Sequence, residues 1–166
     1  MNIKVMSRPQ CIKYTYSQES KEPYFIISIS NEFDEHPRFK ADPNCLGICY
    51  LNFDDVEKGE KNCITESDID YLEYFLSRAF KKHPHIENII VHCEAGVSRS
   101  AGMAAALMKF YNDDDSLIFD NPIYCPNMTV YRTVLERLMG RIIDDEEIKT
   151  KEEKNIALWK SYHGLE

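Results

Sequence analysis

No stretch of the 166-residue sequence approaches the roughly 20 consecutive apolar residues of a membrane span, so a helical membrane protein is not expected. The opening MNIKVMSRPQ lacks the apolar run of a secretory signal, and a cytoplasmic location is the expectation that follows. Repeats are absent, as are Gly/Ser-rich and Pro-rich linkers, which excludes solenoids and tethered arrays and leaves residues 1–166 as one expected domain. An excess of positive charge is lacking as well. The 20 Lys and Arg face 28 Asp and Glu, a formal charge of -8, which disfavours general affinity for nucleic acid or an anionic membrane. None of the six cysteines forms a CxxC pair or a Cys/His cluster at zinc-ligand spacing. They read as reduced thiols, with a disulfide framework left open only for an oxidising compartment.

What is present is a globular composition, 43% hydrophobic and 29% charged, sufficient to bury a core. Strand-like runs come first, at Ile3 to Val5, Tyr24 to Ile29 and Leu46 to Phe53, each β-branched or aromatic and bounded by polar residues, Pro or Gly. The Pro-containing stretch Asn31 to Asn44 reads as a loop. Thr65 and Asp68 resemble a capping box ahead of a helix that turns Ile69, Leu72, Leu76, Ala79 and Phe80 inward and ends before Pro84. Ile86 to Val91 has the continuous apolar character of a strand covered on both faces, and Ser100 to Tyr111 is helical. Asn127 is placed to cap a helix with Val130, Val134, Leu135 and Leu138 inward and Gly140 as its stop. Asp145 to Tyr162 reads as a last helix, anchored by Ile148, Ile156 and Trp159. Strands alternating with helices predict an α/β fold, with a central, largely parallel sheet of four to five strands flanked by helices. Ligands of such folds bind beyond the carboxyl ends of the strands.

At that place stands VHCEAGVSRSAG, from Val91, in the turn that leaves the buried strand and enters a helix. Backbone N–H groups at a helix start are unpaired and the helix dipole is positive there, so Glu94, Ala95, Gly96, Val97 and Ser98 are candidate phosphate-binding residues. Gly96 permits an unusual φ and close approach to the ligand, and the planar guanidinium of Arg99 can hold two phosphate oxygens at once. The same field favours deprotonation of Cys93, making it a candidate nucleophile at neutral pH. Ser100 can donate a hydrogen bond to that sulfur, and His92 can orient the loop through its ring nitrogens.

The loop HCEAGVSRS resembles the HCxxGxxRS signature of cysteine-dependent protein phosphatases, in its dual-specificity form. Five fixed residue types make a chance match in such a chain roughly one in ten thousand or rarer. The order of elements from about Leu46 to Leu138 is also similar, most of all to small tyrosine phosphatases of microbes and their viruses. The resemblance implies a protein tyrosine phosphatase-like fold and a two-step displacement through a cysteinyl-phosphate, in which Ser100 helps the thiolate leave and no metal or cofactor takes part. It also implies an Asp on a mobile loop after a strand, and Leu51-Asn52-Phe53-Asp54-Asp55 fits that pattern. Asp55 aligns as the general acid, with Asp54 as the alternative. The stretch between this pair and Cys93, including EKGEKN, is longer than in the family.

Pro126-Asn127 resembles the Pro-Asn that opens a later helix in similar proteins, where Asn127 would brace the phosphate loop; a plain N-cap explains it equally. The expected partners are a phosphorylated protein or peptide and, in the loop, phosphate, sulfate or vanadate, without nucleic acid or membrane. Phosphoinositide phosphatases of this design carry Lys in the signature loop, which this one lacks, and the negative charge argues against RNA 5′-phosphates. A phosphate-binding module without turnover and thiol chemistry such as sulfur transfer are the alternatives from other classes. His36, His83, His85 and His163 read as surface residues. Cys49 reads as a small buried hydrophobe, with a reversible bond to Cys93 as the alternative. Asp113 to Asp115 reads as a solvated loop, and EEIKTKEEK as a solvated helix face.

Overall fold

The computed structural model describes residues 1–19 and 21–165. Among them lie four strands, β1 (Asn2–Ser7), β2 (Tyr24–Ser30), β3 (Cys45–Asn52) and β4 (Asn88–Cys93). Six helices accompany them: α1 (Arg8–Tyr16), α2 (Glu66–Lys82), α3 (Arg99–Asn112), α4 (Ser116–Phe119), α5 (Met128–Met139) and α6 (Asp145–Tyr162). The strands form one sheet in the order β1-β4-β2-β3, and every pairing is parallel. This is the α/β architecture expected, with four strands. No helix among the described residues is long and apolar enough to cross a membrane.

Both faces of the sheet are covered, which is why every residue of β2 is buried, Ser28 and Ser30 included. On one face Ile27, Ile29, Cys49, Leu51, Ile89 and Val91 pack with the apolar sides of α2, α3 and α5. On the other, Tyr24, Ile26 and Ile90 meet Cys11 of α1 and Phe39 of the segment before β3. Strand alternation therefore sends Cys93 to the helical face and His92 to the α1 face. The crossovers through α1 and α2 lie on opposite faces, and β4, between β1 and β2, ends in the crevice where they part.

The capping box of Thr65 and Asp68 opens α2, and Asn127 caps α5, which ends at Gly140 in the left-handed conformation, φ 63°. One element was not anticipated, and two expectations need correction. The helix α1 has no apolar stripe and buries only Cys11 and Thr15; its signal is the capping box Ser7/Gln10 with Pro in the first turn. Ile156 is exposed, and α6 is anchored instead by Ile148 and by Asn155, whose amide donates to the carbonyls of Phe119 and Tyr124. Asp115 is not solvated: it is 6% exposed, accepts from the Tyr131 hydroxyl at 2.7 Å, and pairs with Lys151 of the supposedly solvated α6 face at 2.8 Å.

Candidate active site

The turn from β4 into α3 has three of its carbonyls occupied and its amides open. Glu94 O accepts from Arg8 N–H, Val97 O from Cys125 N–H, and Ser98 O from the N–H groups of Gly102 and Asn127. The N–H groups of Glu94 to Ser98 have no protein acceptor among the described residues. The open donors form an anion cradle at the start of a 14-residue helix. Gly96 makes the turn possible, at φ +72°, and a Cβ there would lie 2.6–2.8 Å from the backbone of Met6 and Ser7 at the end of β1.

Cys93 sits at the floor of this turn, 3% exposed, with its Sγ 3.0 Å from the Ser100 hydroxyl on the first turn of α3. Arg99 is 5% exposed, and one terminal nitrogen donates to the carbonyl of Phe53 at 2.8 Å. That bond fastens the end of the β3 segment to the loop. Its Nε is the one buried side-chain nitrogen or oxygen left without a partner among the described residues. A buried N–H of a guanidinium demands an acceptor, and an oxyanion in the cradle supplies one.

His92 supports the loop from the opposite face. A carbonyl can only accept, so Nδ1–H donates to Cys93 O at 3.1 Å, and Nε2 accepts from the Ser28 hydroxyl at 2.7 Å. Burial pushes the imidazole down to about 4, with the nearby Arg8 charge adding to the effect, so the ring is neutral at neutral pH.

The two candidate acids part company. Asp54 accepts from Glu32 N–H at 3.0 Å with one oxygen and from the Asn62 amide at 2.9 Å with the other. Those bonds, with the Arg99 charge, hold its carboxyl below the usual carboxylate range. It is committed as an anionic brace between two turns. Asp55 faces the loop: its Oδ1 accepts from Ser98 Oγ and from Asn127 Nδ2, each at 2.8 Å. Asn127 also caps Val130 N–H at 2.9 Å, so the bracing and capping roles coexist.

Cys49 is the small buried hydrophobe expected, its alternative bond to Cys93 is excluded by distance, and the reading of His36 is revised. Cys49 lies on β3, with β2 between it and β4; two strand spacings put roughly 9–10 Å between the Cα positions, beyond the ~7 Å a disulfide spans. Its thiol, fully buried, is pushed up to about 12. His36 is half-buried: Nε2 donates to Asn52 Oδ1 at 2.6 Å and Nδ1 accepts from Ser30 Oγ at 3.2 Å. Residues missing from the sequence reading are Ser28, Asn62 and Arg8, the last of which pairs with Glu94 at 3.5 Å and donates to Glu35 O at 2.7 Å. Only Asn62 carried a local signal, an Asn in a polar turn, where it takes φ 61°.

No protein-family model matches the chain, and no curated protein matches it. Among solved structures it is similar to the crystal structure of the human tyrosine phosphatase-like serine/threonine/tyrosine-interacting protein. The TM-score is 0.49 and the identity 13%, over 95% of this chain and 93% of that one.

Proposed function

We propose that this protein is a cytoplasmic phosphomonoester hydrolase, a cysteine-dependent protein tyrosine phosphatase in which phosphoserine and phosphothreonine are secondary substrates. The observation that carries the reading is the buried, unpartnered Nε–H of Arg99 beside the open amides of Glu94 to Ser98, with Cys93 at the floor of that cradle. An exposed aromatic favours an aryl substrate. Phe33, 83% exposed, rides on the turn that Asp54 tethers through Glu32 N–H.

In the first step the Cys93 thiolate attacks phosphorus; the S–P bond forms, the P–O bond to the alcohol or phenol breaks, and Asp55 gives its proton to the departing oxygen. In the second, water attacks phosphorus, Asp55 takes a proton from it, and the S–P bond breaks, with the Ser100 hydroxyl donating to the leaving sulfur. The loop amides and Arg99 stabilise the equatorial oxygens in both transition states.

The test is release of inorganic phosphate from a phosphotyrosyl peptide. Cys93→Ser is expected to abolish it, a loss of at least about 10³-fold. Asp55→Ala should cost on the order of 10²-fold on that peptide and much less on p-nitrophenyl phosphate, whose leaving group needs no proton. A thiolate and a protonated carboxyl are needed together, so the rate should peak at about pH 5.5–6.5. Retention of the peptide without phosphate release indicates a binding module and overturns the hydrolase reading.

A further inference from the structure

The residues that hold Asp55 are themselves held, and resting on the phosphatase reading we infer that Asn127 and Ser98 are positioning residues that fix Oδ1 of Asp55 and leave Oδ2 to carry the transferred proton. The amide of Asn127 has only one usable orientation. Its Oδ1 must accept from Val130 N–H to cap α5, so its Nδ2 faces the acid loop, donating to Asp55 Oδ1 at 2.8 Å and to Val56 O at 3.1 Å. Ser98, inside the phosphate loop, donates its hydroxyl to the same carboxylate oxygen at 2.8 Å. Two donors on one oxygen make it the poorer site for a proton, and the proton goes to the other.

The arrangement is anchored by backbone. Asn127 N–H donates to Ser98 O at 3.1 Å and Cys125 N–H to Val97 O at 3.1 Å, so the start of α5 is bonded to the loop that cradles phosphate. The acid loop is therefore registered against the cradle by both its neighbours. The charged or titratable groups around it are few. Arg99 approaches through its bond to Phe53 O, and Cys125 comes from the segment before α5. Asp54 is turned toward Glu32 and Asn62, and Lys58 follows on the same loop, its N–H bonded to Thr129 Oγ1.

Asn127→Ser separates positioning from capping, because serine is a good N-cap but too short to reach Asp55. Asn127→Asp keeps an acceptor for Val130 N–H and sets a like charge against the acid. Phosphate release is measured on p-nitrophenyl phosphate and on phenyl phosphate, across pH, beside thermal melts. Both variants are expected to melt within a few degrees of wild type, to lose less than about tenfold on the first substrate, and to lose about 30- to 100-fold on the second. The high-pH limb of the rate profile should move upward in the order wild type, Asn127→Ser, Asn127→Asp, since loss of a donor and then a like charge each disfavour the ionised acid. Ser98→Ala, which cannot disturb the cap, should repeat the pattern more weakly and decides the matter if either Asn127 variant fails to fold. Equal losses on the two substrates, or an unmoved high-pH limb, overturn the inference while the phosphatase reading stands. A wild-type protein that releases phosphate from neither substrate overturns both.

Discussion

At Gly96 two demands meet in one residue. The backbone takes φ +72°, and the space where a Cβ would go is filled by the Met6 carbonyl and the Ser7 amide, 2.6–2.8 Å away. Neither obstacle is a flexible side chain, so Gly96→Ala must move either β1 or the loop. A cost of roughly 2–4 kcal/mol is expected from left-handed strain and overpacking together. Melting and vanadate inhibition should fall together, because the amides that the turn aims are displaced with it. Gly140 supplies the control. It has a similar φ of +63° but no heavy atom within 4 Å of the added Cβ, so Gly140→Ala should cost about 1 kcal/mol and leave vanadate affinity intact. A Gly96→Ala protein that melts and binds vanadate like wild type would show that the loop tolerates another path.

Between elements, the closest fit in the site is α3 against the start of α5. A Cβ on Gly102 would stand 2.5 Å from the Asn127 carbonyl, so this glycine sets how near the two helices approach. Gly102→Ala is expected to cost about 1–3 kcal/mol in urea denaturation and, by lifting Asn127, to slow phenyl phosphate hydrolysis more than p-nitrophenyl phosphate hydrolysis. A stability loss with equal slowing on both would confine the fit to packing. The same distinction between local and distant information explains what could be read from the sequence. The cradle lies within the contiguous run Cys93 to Arg99, and its strand and helix are periodic, so it was legible. The helices α2 and α5 were legible through caps and stripes, whereas α6 was legible in extent but not in the face it buries. The helix α1 was not, since its buried positions are Cys11 and Thr15 and no stripe exists to find. Asp54 and Asp55 are identical neighbours past the end of a strand, where alternation no longer assigns a face. What separates them is Asn62 and Glu32 on one side and Ser98 and Asn127 on the other, contacts spanning 8 to 72 positions. Asp115 belongs to the same class: its partners Tyr131 and Lys151 lie 16 and 36 positions on.

For the molecule as a whole, the site's own scaffold sets how far it can be taken into acid. His92 is buried in the neutral form at about 4, against 6.5 for a free imidazole, so between those values the unfolded chain binds the proton that the folded one refuses. Stability contributed by neutral His92 is therefore complete above pH 6.5 and is lost as pH falls toward 4, by up to about 3 kcal/mol. Asp54, with its carboxyl lowered by Glu32 N–H and Asn62, acts in the same direction but only below its ordinary value of 3.8. Acid destabilisation should consequently proceed in two stages, the first carried by one histidine. The expected rate optimum, about pH 5.5–6.5, falls inside that first stage. Partial unfolding below pH 5 should be reversed by a ligand that binds only the folded state, such as vanadate, and read as a raised urea midpoint rather than as activity. Urea denaturation at pH 7, 5.5 and 4.5 is expected to show the midpoint falling across that range. His92→Gln, which cannot take up the proton, should be less stable at pH 7 yet flat between 7 and 4.5. A wild-type midpoint as flat as the variant's would mean that the imidazole beneath the loop accepts its proton without cost, and that burial is not what keeps it neutral.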